Sequence, residues 1–228
     1  MKDFQKLGGW ISLLLAALLI VDVAVFGSIL RVAGLSPEDA TSGSAKFLAA
    51  QGTYETAFTL NDLIVVAIMV ATLVVALVLY ERWSEKSARL AAMAVAFAVV
   101  STTAYFCFAL TLIAGTPSIV HLNGQDHSQA ITAYVAFSSV TTGMRMAGRF
   151  AFGFFLILVG SAALQARDLS RPIAYVAILA GALNFAPGVL GLAANILTIV
   201  WAAWLGILLL RSRSMVATHA QSAAPASA

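Results

Sequence analysis

The chain is 228 residues long, 61% hydrophobic and only 10% charged, with a mean hydropathy of +0.94. A soluble domain carries about 45–50% apolar and about 25% charged residues, so a soluble enzyme, a nucleic-acid binder, a disordered tail and a secreted disulfide scaffold are excluded. The net charge is +3 and there is one cysteine, Cys107, which leaves no disulfide and no thiol pair within the chain.

The expected fold is all-α, an integral membrane bundle of six transmembrane helices. A helix needs about 20 mostly apolar residues to cross the hydrocarbon. The first such segment, 8–34, follows a basic start. Its apolar run exceeds a signal-peptide core and no clear small-residue cleavage site follows, so a retained span is expected. Segment 35–56 is an outer loop, with a short interfacial helix expected in SAKFLAAQGTY and with Glu38, Asp39 and Glu55 as solvated charges. The second span is near 57–80 and the third near 88–115. The connection TPSIVHLNGQDHSQA leads to a fourth span near 139–166, whose helix can start outside the membrane. A short fifth span, 172–186, and a sixth, 189–210, are separated by Pro187-Gly188. Five spans with a re-entrant hairpin is the competing reading. Residues 1–215 thus form one transmembrane domain, and 216–228, ending QSAAPASA, read as a disordered cytoplasmic tail.

The basic residues fix an orientation. Lys2 and Lys6 precede span one, Arg82, Lys86 and Arg89 join spans two and three, Arg167 and Arg171 join four and five, and Arg211 and Arg213 follow six. The intervening connections hold Lys46 alone. Basic loops stay on the cytoplasmic side, so both termini are expected there, and an even span count agrees.

The stretch GRFAFGFFLILVGSAALQARDLSRPIAYVAILAGALNF reads as a Gly-containing span, a polar hinge (165–172) and an Ala-Gly span. It resembles a bacterial multi-pass membrane family catalogued as a domain of unknown function. The resemblance covers roughly the last 140 residues as a pattern. It departs from the family's hinge in placing Arg171 before Pro172. It implies a small bundle in the bacterial cytoplasmic (inner) membrane and carries over no catalytic residue.

A charge in mid-membrane costs about 2.5–3.5 kcal/mol on insertion scales, so charged residues inside spans need a reason. Asp22 lies about 21 Å up from the cytoplasmic end, Asp62 and Arg149 about 27 Å, and Arg145 one turn farther out, at about 1.5 Å per residue. Asn61, Asn184 and Asn195, with Thr102, Thr103 and Tyr105, share this outer zone. Two acids and two bases balance, which suggests ion pairs within the bundle. Ser138, Thr142, Arg145 and Arg149 are spaced for one helical stripe, continued by Gly153 and Gly160. The cluster therefore reads either as an outward-facing polar pocket for a small polar or anionic ligand, or as Asp–Arg pins that set helix order. For Asp62, stabilisation by a helix N-terminus is a further alternative.

The remaining candidates are weaker. His121, Asp126 and His127 supply too few ligands for zinc and no helical HExxH. Trp10, Trp83 and Tyr80 suit an aromatic belt, whereas Trp201 and Trp204 suit packing. Cys107 reads as a buried thiol. No catalytic, cofactor or metal set emerges. Spans lack the His pair of a membrane haem, the Lys of a retinal site and a Ser–His base, and no phosphate-cradling loop is present. Acid–base work by Asp22 and Asp62 would require both to face one cavity. Without a catalytic set, an accessory or small-ligand binding role is expected. A small proton- or ion-coupled transporter or channel using Asp22 and Asp62 is the alternative. Expected partners are the lipid bilayer and the small ligand. A homo-oligomer or a membrane-protein partner fits the small-residue stripe, and no nucleic acid is expected.

Overall fold

The structure, a computed structural model, describes residues 2–36, 39, 44–186 and 189–222. All elements among them are helices: α1 (Lys2–Val32), α2 (Ala45–Thr53), α3 (Glu55–Trp83), α4 (Ala88–Gln125), α5 (His127–Ala166), α6 (Arg171–Leu183) and α7 (Val189–Ser222). In a hydrocarbon surround every backbone N–H and C=O must pair within its own segment, which selects helices. Among the described residues five helices are long and apolar enough to cross a membrane. α6 has 13 residues, about 20 Å at the helical rise.

The helix ends follow local chemistry. α1 stops where Gly34 takes a left-handed φ of +63°. Leu35 N–H then bonds the Leu30 carbonyl at 2.8 Å and Gly34 N–H the Arg31 carbonyl at 3.2 Å, the Schellman arrangement, sealed by buried Leu30 and Leu35. α2 is the short helix expected in the outer loop, capped by Ser44 Oγ accepting from Phe47 N–H. α5 is capped by Asp126, whose Oδ1 accepts from Gln129 N–H at 3.0 Å. At the far end of α5 the left-handed position is held by Arg167 (φ 52°) rather than glycine, and Pro172 opens α6, where its missing N–H costs nothing.

Several boundaries differ from the sequence reading. The connection between the third and fourth spans is not an open loop. α4 runs through Pro117 to Gln125 and α5 starts at His127, leaving Asp126 alone between the two helices. Side-chain pairs brace the junction: His121 pairs with Gln125 at 3.2 Å within α4, and His127 of α5 with Asn123 of α4 at 2.7 Å across the turn. Among the described residues no three His, Cys, Asp or Glu side chains gather for a metal ion. α7 continues to Ser222, into the segment read as a tail; Met215, Val216 and Ala217 carry no helix breaker. Residues 223–228, the Pro187-Gly188 break and Glu38 lie outside the described residues.

Each long helix packs on its neighbours in chain order and α7 returns to α1, so α1, α3, α4, α5, α6 and α7 close a ring, with α2 against α3 and α4. Glycines permit the closest approaches. On α5 and α6, a Cβ at Gly153 would stand 2.9 Å from the Gly181 carbonyl and one at Gly181 2.5 Å from the Gly153 carbonyl. Gly9 of α1 and Gly206 of α7 make the same reciprocal contact, with the Gly9 carbonyl 2.9 Å from a Cβ at Gly206. The Gly153–Gly160 stripe is thus occupied by α6 within the chain.

The basic end of the ring is packed solid around Leu15, Val75, Leu79, Phe155, Leu156 and Trp201. Trp83 is not an interfacial belt residue. It is 1% exposed and its Nε1–H donates to Asp168 Oδ2 at 3.1 Å, because the hinge after α5 folds over the end of α3. Arg82 also donates to both Asp168 oxygens, and Ser87 Oγ donates to Gln165 Oε1 at 3.0 Å. Cys107 is exposed rather than buried. The inward stripe of α4 runs through Ser101, Tyr105, Phe108 and Leu112, which turns position 107 outward. At the opposite end, α2 brings Phe47 and Leu48 onto Leu30, Ile119 and Tyr134.

Candidate functional site

Between the solid core and this second cluster lies a cavity of about 320 Å³, within the range of small-molecule sites. Helical periodicity decides what lines it. α1 contributes Asp22 and Phe26, four residues apart. α3 contributes Phe58, Asn61, Asp62 and Val65, and α4 contributes Tyr105, Phe108 and Leu112. From α5 come Tyr134, Phe137, Ser138, Thr141, Thr142 and Arg145, and from α7 Asn195. α2 adds Phe47 and Gln51 from above.

The ring therefore gathers Asp22, Asn61, Asp62, Arg145 and Asn195 from four helices around one space. It does not gather Arg149 or Asn184. Arg149 Nη2 donates to the Ala186 carbonyl at 2.6 Å, satisfying an acceptor left over where α6 ends, and it lies against Gly191. Phe150 and Phe154 clamp Phe185 at the same corner, with ring centroids 5.5 and 4.9 Å away. Asn184 is buried, and its Nδ2 donates back to the Ala180 carbonyl at 2.9 Å. Both are structural parts of the α5–α6–α7 corner. The helical register that put Arg149 on the Arg145 stripe is right, but the stripe drifts around α5, and one turn inward it meets α6 instead of the cavity.

Gly191→Ala tests this corner. A Cβ there meets the Arg149 guanidinium, so this side-chain end must shift, and losing its bond to the Ala186 carbonyl would cost at most about 1.5–3 kcal/mol. The expected outcome is a thermal midpoint lower by about 3–10 °C, with no further loss in the Arg149→Ala, Gly191→Ala double variant. Additive losses would place the guanidinium elsewhere.

The expected Asp–Arg ion pairs do not form. Among the described residues neither Asp22 nor Asp62 lies within salt-bridge distance of Arg145 or Arg149. The reason is placement: α1 and α3 carry the acids on one side of the cavity and α5 carries Arg145 on another, and the cavity separates them. Asp22 and Asp62 line the same cavity. Asp62 is also almost two turns inside α3, which starts at Glu55, beyond the first turn where a helix N-terminus stabilises a carboxylate.

Of the aromatic lining the sequence marked Tyr105 alone; the phenylalanines, Tyr134 and Gln51 were not legible as site residues. Gln51 is 5% exposed and Asn61 8%, and Gln51 Oε1 and Asn61 Oδ1 have no hydrogen-bond partner in the protein. An unsatisfied buried acceptor costs about 1–3 kcal/mol. Gln51 sits in α2, and the only sequence signal for it was the short helix expected there. No family model, curated protein or solved structure matches the chain, so the site is read from its chemistry.

Proposed function

We propose that the chain is a six-span protein of the bacterial cytoplasmic membrane, both termini on the cytoplasmic side, of the uncharacterised family its C-terminal pattern resembles. In this reading it performs no chemistry. It binds a small polar molecule in the cavity at the outer half of its helical ring. The basic connections at the end opposite α2 support the orientation. The observation that carries the function is that Asp22, Asp62 and Arg145 line one cavity with no ion pair among them. Each such group costs a few kcal/mol to place inside a membrane bundle. Pairing them directly would be the cheapest structural solution, and the fold instead holds them apart around a space.

Native mass spectrometry of protein released gently from its own membrane tests this. The expected spectrum contains a stoichiometric small-molecule adduct, absent from an Asp62→Asn variant that elutes as a folded species. A bare wild-type protein, or one carrying only scattered lipids, overturns the reading.

A second reading, proton- or ion-coupled transport, is favoured by Asp22 and Asp62 sharing one cavity, since membrane-embedded carboxylates mark ion paths. Proteoliposomes separate the two: flux driven by a proton or ion gradient and abolished by Asp62→Asn supports transport, and no flux under any gradient removes it.

A further inference from the structure

The two sides of the cavity differ in hydrogen-bond character. The α1–α3 side carries the Asp22 and Asp62 carboxylates, with the side chains of Asn61 and Gln51 beside them. Two carboxylates on one wall call for a cation, and one with several N–H donors pairs with both. Among the described residues no three His, Cys, Asp or Glu side chains converge, and the aromatic walls suit an organic ammonium group better than a bare metal ion.

On the α5 side stands Arg145, a fixed fork of donors suited to a carboxylate. Tyr105 lies between the two sides, within electrostatic reach of Arg145, Arg149 and Asp22. Phe26, Phe58, Phe108 and Phe137 complete the walls, and aromatic faces attract an ammonium group while accepting an apolar body. The volume of about 320 Å³ equals roughly ten waters at about 30 Å³ each.

A second, small pocket extends the acceptor side. It shares Gln51, Phe58, Asp62 and Leu112 with the cavity and is also lined by exposed Glu55, Thr116 and Pro117. Glu55, Thr59 and Asp62 are spaced as one stripe of α3. Pro117 has no N–H to offer the Ile113 carbonyl one turn earlier, and Thr116 Oγ1 is buried without a partner. The approach from Glu55 to Asp62 is therefore also rich in acceptors.

We propose that the cavity takes a small zwitterionic amine of the amino-acid type, its ammonium on the Asp22 and Asp62 carboxylates and its carboxylate on Arg145. This rests on the reading of the cavity as a ligand site.

The test uses the purified full chain in detergent with the protein amino acids as a probe set. For the tightest of them, the matched decarboxylated amine and the matched deaminated acid are then measured. The amino acid is expected to bind best, the amine more weakly and the acid not at all. Asp62→Asn should weaken the amino acid and the amine alike by about 10- to 100-fold, the loss expected from one charge-assisted contact. Arg145→Gln should weaken the amino acid by a similar factor and leave the amine unchanged. The probe comparison on the wild-type protein stands even where a variant fails to fold. A deaminated acid that binds as tightly as the amino acid overturns the proposal. So does an absence of amino-acid binding. In that case a native-mass adduct lacking an amine leaves the cavity a ligand site of another class, whereas a bare protein removes both readings.

Discussion

Gly181→Val is expected to abolish the folded, monodisperse protein, whereas Gly143→Val on neighbouring α5 is expected to leave it intact. Gly181 approaches the Gly153 carbonyl and Ile157 of α5 so closely that a Cβ would stand 2.5 Å from the carbonyl and 2.8 Å from Ile157 Cγ1. Overpacking a side-chain contact costs about 1–3 kcal/mol because side chains can shift. Here the obstacle is backbone in a rigid helix, so α6 must move away from α5 over its whole length, at a cost of at least about 3 kcal/mol. α6 is the shortest ring helix and has the least apolar surface with which to recover. Gly143 has no atom within 4 Å of a built Cβ, so the same substitution there meets open space. Size-exclusion profiles of the two variants check the result. Equal yields would mean that the α5–α6 seam is not where the ring closes.

The second large effect is expected at the basic end. Burial pushes the Asp168 carboxyl up, but the Arg82 hydrogen bond and charge, the Trp83 indole N–H and the charge of Lys86 outweigh it and hold the carboxyl below its usual range. Side chains of Arg82 and Asp168 are only 14% and 21% exposed. Asp168→Ala strands a half-buried guanidinium and a buried indole N–H, at a cost of about 3 kcal/mol. The thermal midpoint at pH 7 should fall by about 6–12 °C. A carboxyl whose pKa is lower in the folded than in the unfolded state stabilises above the unfolded value and loses that contribution as pH falls through the folded one. The gap between wild type and Asp168→Ala should therefore be full at neutral pH and close as pH drops below about 4. Trp83→Phe keeps the packing and removes only the donor, so its loss should be near 1 kcal/mol. A gap that persists unchanged into acid would remove the carboxylate from the latch.

Much of the fold was legible because membrane helices are selected by local composition. Each of the six apolar segments became a helix of the ring, and the short helix in the outer loop appeared where its apolar residues suggested it. Five of the seven candidate site residues line one cavity, because a charge in a span is expensive wherever its partners sit and so can be noticed one residue at a time. The order of packing was not legible. Whether Arg145 meets Asp22 or stands across a space from it depends on ring closure by α1 and α7, a contact between chain ends.

The same limit explains the particular misses. Trp83 resembles a belt residue by position, and only the fold of the 167–170 hinge over α3 buries it against Asp168. Arg149 and Arg145 share a helical stripe, yet the neighbour of α5 changes from cavity to α6 within one turn. Gln51 carries no charge to mark it, and α2 turns it down onto the cavity. The sequence by itself determined the solvent, the helices and the residues too costly to be incidental, since these follow from the transfer of single groups into hydrocarbon. Only the tertiary structure decided which of those residues face one another, because that depends on side-chain packing between helices distant in the chain.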